Sequence, residues 1–166
     1  GKDALLVQVG AVGNVAVGAS ALDANTTGAS NVAIGKDALG ANTTGANNTA
    51  VGTSALLSAT VATGNVAVGT TAGDAITTGV NNVAIGLDAL GAETTGTSNV
   101  AVGKDALLLQ NGAVGNVAVG FGAMDANTTG ANNVAVGLDA LGANTTGASG
   151  TAIGANALKA ETTGVN

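Results

Sequence analysis

The chain has 166 residues, of which 28 are glycine, and a formal net charge of −6. It contains no His, Cys, Trp, Tyr or Pro and one Phe. It therefore lacks the aromatic bulk of an ordinary globular core, the nitrogen and sulfur ligands of a zinc site, and the His or Cys of common catalytic pairs. The acidic balance argues against binding to nucleic acid or to an anionic membrane surface.

A pentapeptide recurs along the chain at a fixed spacing of 17 residues, first as Asn14-Val15-Ala16-Val17-Gly18. A fixed short period predicts a solenoid in which each repeat is one rung. We expect residues 1–166 to form one β-roll domain of nine complete rungs and part of a tenth, taken from a processed or longer product. The rungs begin at Gly1, Gly18, Gly35, Gly52, Gly69, Gly86, Gly103, Gly120, Gly137 and Gly154.

Two apolar runs within each repeat predict two strands. In the pentapeptide, Val15 and Val17 alternate with Asn14 and Ala16, which is typical of a β-strand. A second run, such as Ala38-Leu39, predicts another strand, with a turn after each. A single helical turn is the alternative for this second run, because Lys-Asp-Ala-Leu favours helix but is too short to hold one.

A polar turn follows the second run, as in Asn25-Thr26-Thr27-Gly28. Gly and Asn both tolerate positive φ. Stacking at the ~4.8 Å strand spacing would give a rod roughly 45–50 Å long. It would also place equivalent asparagines above one another, each amide bonding the next. We predict this structural ladder from Asn14, Asn31, Asn48, Asn65, Asn82, Asn99, Asn116 and Asn133.

A longer period of 51 residues, or three rungs, overlies the first. The first, fourth and seventh repeats carry a Leu pair and lack the Thr-Thr-Gly turn, whereas the tenth, where the pattern would recur, has Glu161-Thr162-Thr163-Gly164. One interpretation is simple duplication of a three-rung block. The other is that Leu6, Leu57 and Leu108 contact a neighbouring chain, as Phe121 could do from a turn. The residues do not decide which strand face is buried in the roll.

Asn-Val-Ala-Val-Gly, or its Ile variant, followed by two variable residues and Ala, resembles the head-domain repeat of trimeric autotransporter adhesins. The Asn-Thr-Thr-Gly turn is also similar to repeats in phage tail fibres. The resemblance spans essentially the whole chain. It implies a left-handed parallel β-roll, three chains side by side, and an extracellular location on a bacterial surface or a virion appendage.

The resemblance thus favours a rigid structural or adhesive fibre segment. Its partners would be further copies of itself, as a homotrimer or filament, and a host-surface receptor or glycan. We expect no enzyme activity, cofactor, metal site, nucleic-acid partner or membrane contact. The carboxylates Asp3, Asp37, Asp88, Asp105 and Asp139 occupy one equivalent turn position and are interpreted as turn formers.

Ice binding is the alternative function, because stacked threonines on a flat solenoid face can order water. The candidate pairs include Thr26-Thr27, Thr43-Thr44 and Thr77-Thr78. Adjacent side chains point to opposite sides of an extended chain, so one threonine of each pair would face outward. That row is interrupted every third rung, at Gly10, Val61 and Gly112.

Overall fold

The computed structural model describes residues 1–164, so the last two residues of the predicted 1–166 domain lie outside the described part. Nine short strands form one parallel sheet in sequence order. They are β1 (Val15–Val17), β2 (Val32–Ile34), β3 (Thr49–Val51), β4 (Val66–Val68), β5 (Val83–Ile85), β6 (Val100–Val102), β7 (Val117–Val119), β8 (Val134–Val136) and β9 (Thr151–Ile153).

Each strand pairs with the equivalent strand one repeat later, as in Val66 opposite Val83, so the register equals the sequence period. The chain is therefore an all-β parallel solenoid with 17-residue rungs, as the sequence predicted at this level. No helix in residues 1–164 has the length and apolar character needed to cross a membrane.

The prediction of a second strand in each rung is wrong, and so is the alternative of a helical turn. The Ala-Leu run instead lies in overlapping four-residue turns. In one rung, Ala38 N–H donates to Gly35 O at 3.4 Å, Gly40 N–H to Asp37 O at 3.2 Å, and Asn42 N–H to Leu39 O at 3.1 Å. Asp37 and Leu39 have φ of 57° and 51°, whereas strands and right-handed helices have negative φ.

These left-handed residues connect each rung to both neighbours. Asp37 N–H donates to Ala19 O of the preceding rung at 2.9 Å, and Leu39 N–H donates to Ala55 O of the following rung at 3.0 Å. A non-glycine residue with left-handed φ costs roughly 1–2 kcal/mol. Burial of the leucine side chain and the backbone bonds to both rungs offset this cost, since Leu39 is fully buried.

The core settles which strand face is inside. The central alanine of the strands is buried, for example Ala67 in β4, and its flanking residues Val66 and Val68 point outward. In the turn segment both Ala and Leu are buried, for example Ala89 and Leu90. The interior is therefore filled by small strand alanines and by the Ala-Leu pairs, which together form one cluster.

Core volume is maintained where the repeat varies. Gly73 replaces the usual leucine of its rung, and Ile76, three residues later, stands where most rungs have a polar side chain. A Cβ added at Gly73 would lie 3.0 Å from Ile76 Cδ1 and 3.2 Å from Leu56 Cδ2. The isoleucine thus occupies the space that the missing leucine leaves.

The glycine that closes each pentapeptide is required by both conformation and stacking. Gly69 has φ of 138°, which side chains of L-residues rarely allow. A Cβ at Gly69 would also lie 2.7 Å from the carbonyl oxygen of Gly86 in the next rung. Because the closing glycines from Gly18 to Gly137 all lie this close to the next rung, no side chain fits at their corner.

We expect Gly69→Ala to destabilise the solenoid more than Gly154→Ala. Gly154 has φ of 123°, but a Cβ there has no atom within 4 Å, so this control retains the backbone strain without the clash. Strain of this kind costs of order 1–3 kcal/mol, and the clash at Gly69 adds to it. Urea unfolding followed by circular dichroism measures both. Equal losses in the two variants would contradict the stacking argument.

Candidate functional site

The outward side of the parallel sheet presents two columns of apolar side chains, which we call the valine face. Val17 is 55% exposed and Ile153 is 72% exposed, and the interior members are partly exposed. The face consists of the first and third residues of the strands: Val15, Val17, Val32, Ile34, Thr49, Val51, Val66, Val68, Val83, Ile85, Val100, Val102, Val117, Val119, Val134, Val136, Thr151 and Ile153.

In three rungs the residue after the closing glycine is large and apolar and extends this face sideways, whereas Lys2, Lys36 and Lys104 occupy the same column in other rungs. Leu87, Phe121 and Leu138 occupy this column and are 40%, 50% and 47% exposed. The Phe121 ring lies beneath Lys104 of the preceding rung, with the ammonium nitrogen 5.2 Å from the ring centroid. Phe121, a candidate contact from the sequence, therefore lies beside the valine face on the outer surface.

The other candidate contacts, Leu6, Leu57 and Leu108, lie on a different edge, along the turn segment. Leu57 and Leu108 are only partly exposed. Their Cδ1 atoms come within 3.3 Å and 3.1 Å of where a Cβ would stand at Gly40 and Gly91 of the preceding rungs. Each leucine therefore covers a glycine of its own chain, which gives the three-rung period an intrachain packing role. Leu6 is 65% exposed.

The turn after the Ala-Leu run carries a second outward surface, the threonine face. Its first column is exposed and contains Thr27, Thr44, Val61, Thr78, Thr95, Gly112, Thr129 and Thr146. Its second column lies two residues later and contains Ala29, Ala46, Thr63, Val80, Thr97, Val114, Ala131 and Ala148. Parallel bridges join Thr63 to Val80 and Thr97 to Val114, so the backbone is extended there.

The first threonine of each pair does not belong to this face. Its hydroxyl donates to the next rung, usually to a backbone carbonyl, as Thr26 does to Thr43 O at 2.9 Å and Thr128 does to Thr145 O at 2.9 Å; Thr94 donates to the side chain of Asn111. These hydroxyls are thus used within the solenoid. The outward row contains one threonine per rung, as the sequence predicted, with the same interruptions.

The asparagines of the predicted ladder line the interior and join rungs chiefly through the backbone. Asn65 Nδ2 donates to Gly79 O at 2.8 Å, and its Oδ1 accepts from Asn82 N–H at 2.9 Å. Amide-to-amide bonds of 3.2 Å link Asn31, Asn48, Asn65, Asn82 and Asn99 in succession. Asn116 instead donates to Gln110 Oε1 at 2.7 Å, and Asn14 and Asn133 make backbone bonds.

Sequence reasoning missed a buried polar cluster around Glu93. This carboxylate is fully buried. Its Oε1 accepts from the N–H groups of Thr95, Gly96 and Gly112, and its Oε2 accepts from Gln110 Nε2 at 2.9 Å. Gln110 Oε1 in turn accepts from Asn127 Nδ2 at 3.2 Å. The sequence does contain an indication of this cluster, because one position of the repeat changes between polar and apolar residues from rung to rung. Its members are Asn42, Ala59, Ile76, Glu93, Gln110 and Asn127.

Acidic side chains form pairs along the turn edge. Burial raises the pKa of the Asp74 carboxyl, and the charge of Asp88 raises it further. Burial also raises the pKa of Asp125, with Asp139 contributing in the same direction against a backbone hydrogen bond at Ala126. Within residues 1–164, no three carboxylates form a group that could hold a metal ion. Each pair has one compensating donor, since Thr71 donates to Asp88 and Lys159 forms an ion pair of 2.7 Å with Asp139.

A small cavity of about 90 Å³ lies where the last pentapeptide has lost its asparagine. Gly150, Leu141, Leu158 and Asn144 contribute to its lining. Pockets for small organic ligands measure roughly 300–1,000 Å³, so this cavity is too small for one. It lies beside Gly150, at the position where the other pentapeptides have an asparagine side chain.

Comparison of the chain with protein-family models, with curated proteins and with solved structures gives no match. The function must therefore be inferred from the two faces and the interior described above.

We expect Glu93→Gln to destabilise the fold by about 1–3 kcal/mol, the cost of one unpaired buried polar group. The new amide nitrogen would face Gln110 Nε2, so two donors would meet. Gln110 cannot turn over without losing its bonds to Asn116 and Asn127. Urea unfolding of the variant measures the loss.

The matched control is the double variant Glu93→Gln/Gln110→Glu, which conserves charge and exchanges donor and acceptor. The amide introduced at position 93 would then donate to the carboxylate introduced at position 110, and that carboxylate would also accept from both asparagines. We expect most of the stability to return. A double variant as unstable as the single variant would contradict this account of the cluster.

Proposed function

We propose that the chain is a rigid segment of an extracellular fibre, built as a homotrimer whose valine faces pack against one another. The observation that carries the proposal is the valine face itself. It runs the length of the sheet, and Leu87, Phe121 and Leu138 widen it. Extended apolar surfaces of this kind mark sites of association.

The number three comes from the resemblance to adhesin head repeats and to phage tail fibres, as do the left-handed sense of the roll and the bacterial-surface or virion setting. The full count of about ten rungs comes from the 17-residue period of the sequence. The mechanism of such a fibre is mechanical. Rung-to-rung backbone bonds and buried amides stiffen the rod, for example the bonds from Asn65 to Gly79 O and from Asn82 N–H to Asn65. A host receptor or glycan would bind its repetitive outer surface.

Light scattering on the intact chain is expected to give three times the chain mass of 15.2 kDa. Val68→Lys/Ile85→Lys places two charges on the valine face, and we expect this variant to be monomeric because those charges would be buried between chains. Thr78→Lys/Thr95→Lys is the matched control, with the same 17-residue separation on the threonine face. It is expected to remain trimeric.

A monomeric parent chain would contradict association through the valine face. A dimeric parent chain would contradict the proposed number of three chains. Circular dichroism of both variants confirms that the solenoid is still folded.

Ice binding remains the second candidate, favoured by the two regular outward columns of the threonine face. Exposed threonines such as Thr78 and Thr95 repeat at the strand spacing of ~4.8 Å, beside a column of small or β-branched side chains. Val61 and Gly112 interrupt the row, and this weighs against a continuous ice-binding plane.

The same two variants test this second candidate by thermal hysteresis. An ice-binding chain would depress the freezing point below the melting point, Thr78→Lys/Thr95→Lys would abolish the effect, and Val68→Lys/Ile85→Lys would retain it. Absence of hysteresis in the parent chain would remove ice binding as a function.

A further inference from the structure

We propose that Asn111 is a self-modifying residue, which the folded chain converts to aspartate and isoaspartate through a cyclic imide. Asn111 precedes Gly112 in the one Asn-Gly dipeptide of the sequence. Both residues are exposed. A following glycine has no side chain to hinder attack of its backbone nitrogen on the asparagine amide.

The other exposed asparagines of residues 1–164 lack this arrangement. Asn47, Asn81 and Asn132 each precede another asparagine, and Asn156 precedes Ala157. The asparagines of the interior column are held by buried hydrogen bonds, as Asn65 is. The reaction should therefore be confined to one position.

Two hydrogen bonds act on the reacting atoms of Asn111 and Gly112. The Thr94 hydroxyl donates to Asn111 Oδ1 at 2.6 Å, and so polarises the carbonyl that is attacked. Gly112 N–H, the nucleophile, donates to Glu93 Oε1 at 2.8 Å. That carboxylate is within the distance required of a general base. Thr77 and Thr128 use the equivalent hydroxyl for a backbone carbonyl, so the contact to Asn111 is specific to this rung.

The reaction balances without any oxidant or cofactor. Gly112 N forms a bond to Asn111 Cγ while Glu93 accepts the proton from that nitrogen. The Cγ–Nδ2 bond then breaks, and ammonia leaves with the proton. Water opens the five-membered ring at either carbonyl, which gives aspartate or isoaspartate. The net change replaces the amide nitrogen by an oxygen of water and adds one negative charge.

The two products differ in their effect on the solenoid. Aspartate retains an oxygen that accepts from Thr94. Isoaspartate adds a methylene to the backbone between Asn111 N–H, which donates to Thr128 O at 2.9 Å, and Gly112 N–H, which donates to Glu93. It would therefore disturb the stacking of this rung on both neighbours.

Incubation of the intact chain at 37 °C and neutral pH tests the proposal. Mass spectrometry should show a gain of about 1 Da at Asn111, and enzymatic methylation should detect isoaspartate. The folded chain should react faster than the same chain unfolded in urea, because only the fold brings Thr94 and Glu93 to the reacting atoms.

Thr94→Val should slow the reaction about tenfold, the rate equivalent of one hydrogen bond. Valine is accommodated in this column, since Val9 occupies the equivalent position. Glu93→Gln/Gln110→Glu, which removes the carboxylate from Gly112, should also slow it. Asn111→Thr, which restores the residue common in this column, should show no reaction.

The proposal is overturned if the folded chain reacts no faster than the unfolded chain. It is also overturned if the rate is unchanged in either Thr94→Val or the Glu93/Gln110 double variant.

Discussion

Close backbone stacking at the closing glycines is the constraint on which the rest of the structure depends. At Gly69 and its equivalents, the carbonyl oxygen of the next rung lies where a Cβ would stand. A side chain at this corner would push the rungs beyond the ~4.8 Å at which strands pair. Each rung must therefore return to the same point after the same number of residues. This explains why the 17-residue interval never slips while most other positions vary.

Stacking also couples residues that are 17 apart, because many buried side-chain amides bond to a group in an adjacent rung. Asn42 donates to Asn25 Oδ1 at 2.8 Å, but the next residue in that column is Ala59, and Asn42 Oδ1 has no partner within residues 1–164. The column becomes polar again at Glu93, whose four donors include two from the following rung. A substitution at one position of a column therefore changes the hydrogen bonding of the equivalent residue in the adjacent rung.

The period and the parallel sheet could be predicted from the sequence because they follow from spacing and alternation. The second strand could not be excluded, since leucine rarely adopts left-handed φ and nothing in an Ala-Leu pair indicates it. Leu39 holds that conformation with its N–H bonded to Ala55 O of the following rung and its side chain fully buried. Likewise, nothing in the sequence indicates that Leu57 lies over Gly40 of the preceding rung, because that proximity depends on how the rungs stack. The sequence pattern shows which residue types recur at each position of the repeat, whereas the contacts of each side chain depend on how the rungs stack.

The two outer surfaces could not be predicted either. Alternation along the strand shows that alanine and the Val or Ile residues lie on opposite sides, but not which side faces the interior. Alanine fits inside the narrow roll, so the larger Val and Ile must face outward. The valine face on which the proposed association rests is then a consequence of the narrowness of the roll. On the turn edge, burial raises the pKa of Asp74 and Asp125, so an acidic partner there would further disfavour their anionic forms. The proposed trimer uses the valine face, whose strand positions within residues 1–164 carry no acidic side chain.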